Sequence, residues 1–189
     1  MPKALIIGGS GFIGFHLSNY LIKKNWSVDI IDNYKKKFSL NDLKMFNKKA
    51  SVKFIKADLL NQNAIRNIST KYEYVFHLAA IVGVENVINE SYQTLINNIY
   101  LTDNAMKIAK KQKQLKKFVF FSSSEVYSGT QEHYSIKIPT VENVKLSVRS
   151  LKNKRDSYML SKIYGEAMCF NSNLPFIILR PHNIYGPRM

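Results

Sequence analysis

The sequence predicts an α/β protein in which a parallel β-sheet carries helices on both faces. Six short apolar segments, each of the length of a strand, alternate with segments whose apolar residues recur at helical spacing. A turn with four glycines in seven residues joins the first strand to the first helix. The length of 189 residues predicts one domain spanning 1–189.

The first strand is expected at residues 4–7, and the first helix begins at Phe12. Between them, Gly8, Gly11 and Gly14 form the pattern G-x-x-G-x-x-G. In such a turn Gly8 permits the tight bend, Gly11 lets a pyrophosphate approach, and Gly14 lets the helix pack closely on the strand. The helix N-terminus attracts phosphates through free N–H groups and a partial positive charge. The pattern predicts dinucleotide binding, with a ligand-free glycine turn as the alternative.

The second strand, residues 27–31, ends in Asp32, about 20 residues after the last glycine. An acidic residue at this spacing binds the 2′-hydroxyl of an adenosine ribose and repels a 2′-phosphate, which predicts NAD rather than NADP. Lys35, Lys36 and Lys37 follow and provide an alternative site for a phosphate, although a solvated loop is the favoured interpretation.

The remaining elements continue the alternation, which predicts a Rossmann-type doubly wound sheet with strand order 3-2-1-4-5-6. Further strands are expected at 52–59, 72–80 and 175–181, and segment 116–127 is expected to be a strand that runs into a serine turn. Helices are expected at 64–68, 91–113 and 155–171. Residues 137–154 form the one long irregular candidate, and loops of this length are often functional.

Candidate catalytic groups follow the later strands, whose carboxyl ends bind ligands in this architecture. Tyr158 and Lys162 are four residues apart and share one helix face. We expect the ammonium group, together with an oxidised nicotinamide, to lower the pKa of the tyrosine. Tyr158 would then accept a hydroxyl proton while hydride leaves the same carbon, with a serine of the turn 122–124 sharing the proton. An ordinary surface pair is the alternative interpretation.

The composition limits the other classes of function. The net charge of +15 is mostly lysine spread along the chain, so we consider nucleic-acid binding unlikely. The sequence contains no zinc-ligand spacing, and no metal site is expected. The densest basic segment, residues 107–117, is interpreted as the end of a helix and a loop. An anionic substrate such as a nucleotide suits a basic protein.

No apolar segment is long enough for a membrane span, and the early first strand leaves no room for a signal peptide. The single Cys169 excludes an intramolecular disulfide and is typical of a cytoplasmic protein. We expect Cys169, His16 and His77 to have packing roles, whereas His182 precedes a candidate substrate residue.

Six motifs in register carry a resemblance to a known family: GGSGFIG, ADLL, FHLAA, FFSSSEVY, YMLSK and RPHNIYGP. Together they resemble the extended short-chain dehydrogenase/reductase family, and within it the NAD-dependent nucleotide-sugar epimerases and dehydratases. The resemblance runs over residues 3–189. It implies a protein that oxidises a sugar hydroxyl by hydride transfer to bound NAD.

The resemblance also implies roles for individual residues. The cofactor-binding residues would be Gly8, Gly11, Phe12, Ile13, Gly14, Asp32, Asn33, Asp58, Leu59, Leu78, Ala79, Ala80, Asn98, Tyr158 and Lys162. Among them, Asp58 and Leu59 would flank the adenine, and Ala79 and Ala80 would line the nicotinamide side.

Ser123, Tyr158 and Lys162 match the family's catalytic triad, and Ser124 and Asn183 are candidates for binding the nucleotide sugar. The sequence departs from the family pattern after the fifth strand, because Gly129 comes one residue late. Glu125 occupies an acidic position of the family's dehydratases and decarboxylases, where a carboxylate removes a proton beside a transient ketone. An exposed turn residue is the alternative, and epimerase, dehydratase and decarboxylase chemistry all remain open.

Members of this family are considerably longer than 189 residues, which implies that most of the substrate-binding domain is missing. A fragment, a shortened relative and a chain that needs a partner are the alternatives, and we expect poor turnover by residues 1–189 alone. The resemblance also implies a homodimer formed by the helix at 91–113 and the Tyr158 helix. A catalytically silent dinucleotide-binding sensor is the alternative function.

Overall fold

The computed structural model describes residues 1–35 and 51–189, and its centre is a parallel sheet. The strands are β1 (Lys3–Ile7), β2 (Ser27–Asp32), β3 (Val52–Lys56), β4 (Tyr74–His77), β5 (Lys117–Phe121) and β6 (Phe176–Leu179). Their order is β3-β2-β1-β4-β5-β6, and every neighbouring pair is parallel. The predicted fold class and strand order are therefore confirmed, and the carboxyl ends of all six strands lie at one edge.

The helices are α1 (Phe12–Lys23), α2 (Val84–Asn89), α3 (Ser91–Lys110), α4 (Ser128–His133) and α5 (Asp156–Phe170). The helix predicted at 64–68 is wrong, because the chain forms only a one-turn 3-10 helix at Gln62–Ile65. The Asn61 side chain caps that turn by accepting a hydrogen bond from Asn63 N. The segment 116–127 forms the predicted strand and serine turn, since β5 ends at Phe121 and a second 3-10 turn covers Ser124–Tyr127.

Alternate residues of β1 face the two sides of the sheet, as the pleat of a strand requires. Leu5 and Ile7 belong to a buried cluster that includes apolar residues of α3 and α5. Ala4 and Ile6 belong to a second cluster that contains Phe15 of α1. Helices thus cover both faces of the sheet, which confirms the predicted doubly wound arrangement.

Helix α5 lies unusually close to β5. A Cβ atom at Gly165 would come within 2.4 Å of the Phe120 ring, so only glycine permits this approach. Because Tyr158 and Lys162 lie on the same helix, the close packing brings both to the carboxyl end of β5.

Residues 137–154 contain neither helix nor strand, as predicted. Helix α4 holds part of this segment, since the Thr130 hydroxyl donates to the Lys145 carbonyl at 2.7 Å and accepts from Ser147 N at 3.0 Å. Gly129 packs against the Ser147 backbone, where a Cβ atom would collide with the carbonyl group. Among the described helices, none has the length and apolar character that crossing a bilayer requires.

Candidate active site

The glycine turn forms by close backbone packing at the end of β1. Gly8 has φ +81°, and a Cβ atom there would lie 2.5 Å from the Ala79 backbone nitrogen. Both the positive φ and the short contact exclude a side chain at Gly8. A Cβ atom at Gly14 would lie 2.5 Å from Gly9 Cα and 2.7 Å from the Gly8 carbonyl oxygen, so Gly14 lets the helix approach closely at the end of β1.

Within the described residues, the N-terminus of α1 is uncapped and is not crowded at Gly11. In the part of the chain that the structure describes, no side chain caps this helix, and its first turn has no acidic residue. A Cβ atom at Gly11 would meet only the Gly8 carbonyl, at 3.5 Å. Phe12 and Ile13 are half-buried beside it. An uncapped helix end with an unobstructed glycine fits a pyrophosphate.

Asp32 lies at the end of β2, opposite the glycine turn. One carboxylate oxygen accepts a hydrogen bond from Ser10 N at 3.0 Å, and the other accepts from Tyr34 N at 2.8 Å. The carboxylate is therefore held beside the turn and keeps lone pairs for a ribose. Lys35 is exposed, with its ammonium 3.9 Å from an Asp58 oxygen, and Lys36 and Lys37 lie outside the described residues.

Asp58 and Leu59, predicted to flank the adenine, occupy different environments. The Asp58 carboxylate accepts from Asn33 Nδ2 at 3.2 Å and from Leu60 N at 3.0 Å, and it remains partly exposed. Leu59 is buried in the core, and its carbonyl accepts from Asn104 at 2.7 Å.

The loop after β4 approaches both the glycine turn and α3. The N–H groups of Leu78 and Ala79 both donate to the Ile7 carbonyl, at 2.9 and 3.0 Å, and Ala80 follows at the same edge. Asn98 of α3 is buried and holds this loop by accepting from Ile81 N at 2.7 Å and donating to its carbonyl at 3.2 Å. Asn98 thus holds the loop that contains Ala79 and Ala80, and its amide also donates to the Ser161 hydroxyl at 3.3 Å.

The structure brings Ser123, Tyr158 and Lys162 together at the end of β5. The Ser123 side chain lies near enough to Tyr158 to lower the pKa of its hydroxyl. The Lys162 ammonium donates to the Phe121 carbonyl at 2.7 Å and lies 5.6 Å from the Tyr158 ring centre. The predicted triad therefore forms one cluster, with the lysine beneath the tyrosine ring.

The pKa of Tyr158 is raised to about 12, first by burial and then by the charge of Glu125, while the hydrogen bond to Ser123 opposes the shift. We predicted a lowered pKa, and for the protein groups alone that direction is wrong. Burial lowers the pKa of Lys162 to about 8, and the charge of Glu166 opposes this change. Lys162 therefore loses its proton more readily than an exposed lysine would.

The predicted substrate residues lie where two chain segments meet. Ser124 N donates to the Pro181 carbonyl at 3.0 Å, which brings the end of β6 beside the serine turn. Asn183 follows two residues later and is exposed. Glu125 is half-buried, and its N–H donates to Ser123 Oγ at 3.2 Å.

Buried Glu166 and half-buried Arg180 are two residues of this site that the sequence reasoning missed. Arg180 donates to both carboxylate oxygens of Glu166, at 2.8 and 2.6 Å, and the Ser122 hydroxyl donates to the same carboxylate at 2.5 Å. The sequence pattern could have identified both residues, because Glu166 follows Lys162 by one helical turn and Arg180 ends an apolar strand.

The remaining nucleophilic and imidazole groups have packing roles. Burial raises the pKa of Cys169 to about 12, which keeps it a thiol. His77 is buried, and burial lowers its pKa to about 3. His16 contacts the Pro187 carbonyl at 3.0 Å, and exposed His182 lines a groove of about 840 Å³ beside β6.

Comparisons with known proteins agree with this geometry. Residues 4–189 match the model of the NAD dependent epimerase/dehydratase family. The UDP-N-acetyl-alpha-D-glucosaminuronate decarboxylase of Bacillus cytotoxicus is 34% identical over 190 residues, covering 98% of this chain and 56% of the relative. The dTDP-D-glucose 4,6-dehydratase of Dictyostelium discoideum is 36% identical over 197 residues, covering 100% of this chain and 45% of the relative.

A solved structure is also similar. The UDP-glucuronic acid 4-epimerase of Bacillus cereus, in complex with a fluorinated UDP-glucuronic acid and NAD, has a TM-score of 0.77 and 27% identity. The match covers 98% of this chain and 58% of the epimerase chain. The chain thus spans about half the length of the relatives that it matches.

Proposed function

The chain belongs to the NAD-dependent epimerase/dehydratase family, and we propose that it is the NAD-binding and proton-transferring part of a nucleotide-sugar epimerase or dehydratase. The observation that carries this proposal is the cluster of Ser123, Tyr158 and Lys162, which lies at the same sheet edge as the glycine turn. Relatives that act on UDP- and dTDP-sugars support a nucleotide sugar as the substrate.

NAD is the proposed cofactor. The uncapped N-terminus of α1 would hold its pyrophosphate beside Gly11, and Asp32 would accept hydrogen bonds from the adenosine ribose. Asp58 and Asn33 would meet the adenine, while Leu78, Ala79 and Ala80 would border the nicotinamide. When bound, NAD supplies the hydride acceptor. The negative charge of Asp32 disfavours the 2′-phosphate of NADP.

Tyr158 would accept the proton of the sugar hydroxyl. The Ser123 side chain lies beside the phenol at the end of β5 and lowers the pKa of Tyr158, which favours the deprotonated form. Lys162 lies under the ring, and its positive charge favours the phenolate in the same way. The sugar would lie between Tyr158 and the segment containing Asn183, with Ser124 contacting it.

Glu125 distinguishes two versions of this reaction. A carboxylate near Tyr158 can remove a carbon-bound proton beside a transient ketone, as a dehydratase or decarboxylase requires. An epimerase returns hydride to the same carbon and needs no such base. The influence of Glu125 on the pKa of Tyr158 supports its nearness to the reacting group.

We also propose a homodimer. Helices α3 and α5 pack side by side, and their outer surfaces expose Tyr92, Tyr100, Tyr164 and Phe170. Large exposed apolar side chains on neighbouring helices are typical of an association surface. Light scattering should give twice the chain mass, and a strict monomer at micromolar concentration would contradict the dimer. The single cysteine supports a cytoplasmic location for the protein.

The test compares the turnover of nucleotide sugars by proteins that keep or lack the Tyr158 hydroxyl. Residues 1–189 are incubated with NAD and a panel of UDP-, GDP-, CDP- and dTDP-sugars, and NADH absorbance and product NMR are recorded. A second protein fuses residues 1–189 to the unmatched part of the Bacillus cytotoxicus relative. We expect slow turnover by residues 1–189 alone and faster turnover by the fused protein. The reason is that misplacing a substrate by one ångström lowers the rate about 100-fold.

Tyr158→Phe should lower turnover by roughly 10²- to 10⁴-fold while NAD binding is kept. Tyr164→Phe is the matched control, since Tyr164 lies on the same helix but is exposed. Equal turnover by Tyr158→Phe and the unchanged chain would contradict the proposal. NAD binding without any Tyr158-dependent reaction in either protein would favour the catalytically silent sensor.

A further inference from the structure

Three successive turns of α5 contact three consecutive residues at the end of β5. Tyr158 lies beside the Ser123 side chain, which lowers its pKa, and Lys162 donates to the Phe121 carbonyl at 2.7 Å. One turn later, Glu166 accepts from the Ser122 hydroxyl at 2.5 Å. The first two contacts belong to the proposed catalytic cluster, whereas the third involves a carboxylate that the reaction does not use.

Glu166 is a buried charge, with only 3% of its surface exposed. Its two oxygens receive three hydrogen bonds, two from the Arg180 guanidinium and one from Ser122. A buried ion pair adds little stability compared with apolar residues of similar size, because both charges lose water. The charge therefore calls for a role other than stability.

Arg180 connects this carboxylate to the rest of the site. Its guanidinium also donates to the Tyr127 hydroxyl and to the Glu142 carbonyl, each at 2.8 Å. Tyr127 ends the 3-10 turn that begins with Ser124. Arg180 thus joins the end of β6, the serine turn and the irregular segment to the same carboxylate on α5.

We propose that Glu166, held by Arg180, is a positioning residue for the reaction proposed above: it fixes Ser122, and with it Ser123, against Tyr158, and its negative charge supports the ammonium of Lys162. The inference rests on the proposed function and concerns the same site. Glu166 acts through Ser122 and Lys162, and in this arrangement neither it nor Arg180 needs to contact the sugar.

Glu166 supplies the negative charge that supports the Lys162 ammonium, because the other groups packed around Lys162 are neutral or act elsewhere. His77 on β4 is neutral, because burial lowers its pKa to about 3. Tyr158 on α5 is neutral, because burial raises its pKa to about 12, and Glu125 acts on that tyrosine. Neighbouring Asn98 and Thr102 of α3 do not titrate. Burial lowers the pKa of Lys162 to about 8, and Glu166 opposes this shift.

The test follows the titration of Lys162 by NMR of ¹³Cε-labelled lysine, with Lys162→Met identifying its signal. Glu166→Gln keeps the size of the side chain and removes its charge. We expect the midpoint of Lys162 to fall by about one pH unit. Glu73→Gln is the matched control, because Glu73 pairs with exposed Lys116 far from α5 and should leave the midpoint unchanged.

Arg180→Gln provides a second variant with the opposite expected sign. It leaves the charge of Glu166 without its partner, so the midpoint of Lys162 should rise. Arg180→Lys, which keeps a positive charge, should restore a midpoint close to that of the unchanged chain. An unchanged midpoint in both Glu166→Gln and Arg180→Gln would overturn the inference, and a fall in both would do the same.

The titration needs neither sugar nor turnover, so its outcome is separate from that of the proposed function. If the midpoint moves as expected while no nucleotide sugar reacts, the proposed function fails and the coupling of Glu166 to Lys162 stands. If the Tyr158-dependent reaction occurs with an unchanged Lys162 midpoint, only the role of Glu166 is overturned.

Discussion

The two sides of the candidate site differ in how they are held. The cofactor side, formed by the glycine turn and Asp32, depends on backbone atoms in close contact, as between Gly8 and Ala79. The catalytic side, formed by the ends of β5 and β6 and by α5, depends on side chains and charges. There Ser122, Glu166 and Arg180 form a buried hydrogen-bonded chain.

This difference predicts different responses to substitution. Backbone packing tolerates no added atoms, so the cofactor side should respond to shape and very little to pH. The catalytic side buries ionisable groups whose pKa values depend on one another, so it should respond to charge and pH even when shape is kept. The predictions below test this contrast, from the largest expected effect to the smallest.

Gly8→Ala should have the largest effect. Its φ of +81° strains any residue other than glycine, and its Cβ atom would lie 2.5 Å from Ala79 N, which cannot move without disturbing β4. We expect the folding free energy to fall by roughly 2–4 kcal/mol. NAD binding should be lost as well. Urea unfolding followed by circular dichroism measures the first effect, and calorimetry the second.

Gly11→Ala is the matched comparison within the same turn. A Cβ atom there meets only the Gly8 carbonyl at an ordinary contact distance of 3.5 Å, so stability should change by less than about 1 kcal/mol. NAD affinity should nevertheless fall at least tenfold, because the added methyl group occupies the approach of the pyrophosphate. Equal losses of stability in the two variants would contradict the backbone-packing account of this side.

Asp32→Asn tests the choice of cofactor, with an intermediate effect. The amide keeps the size of the side chain but loses the charge that repels a 2′-phosphate. We expect NAD affinity to fall about tenfold and the preference over NADP to narrow, as calorimetry with both cofactors would show. Lys35→Ala is the control and should leave the preference unchanged. If the unchanged chain binds NADP more tightly than NAD, the assignment of Asp32 to the ribose is wrong.

The same contrast explains how much the sequence predicted. The glycine turn and Asp32 were found because their spacing along the chain reflects local geometry, and the strand order followed from the alternation of elements. Glu166 and Arg180 were missed because their pairing depends on α5 lying against β5, which Gly165 permits. The direction of the Tyr158 pKa was also missed, since burial is a property of the packed chain and not of a four-residue spacing.

Glu125→Gln should have the smallest effect on structure. It tests most directly whether the catalytic side responds to charge when shape is kept. Burial contributes most to the raised pKa of Tyr158, and the charge of Glu125 adds to it. Removing that charge should lower the pKa of Tyr158 by less than about one unit, so its phenolate forms at lower pH. Ultraviolet difference titration against Tyr158→Phe measures this shift among the other tyrosines. Stability and NAD affinity should stay unchanged, because Glu125 is only half-buried and lies away from the glycine turn.

Turnover of the fused protein then separates the two roles of Glu125. If its carboxylate removes a carbon-bound proton, Glu125→Gln should lower turnover by roughly 10²- to 10⁴-fold at every pH. If Glu125 only tunes Tyr158, turnover should persist and its pH profile should shift toward lower pH, because the phenolate is the proton acceptor and its pKa has fallen. A raised or unchanged pKa of Tyr158 would contradict the electrostatic account of the catalytic side, since no added bulk accompanies this substitution and only a charge has been removed.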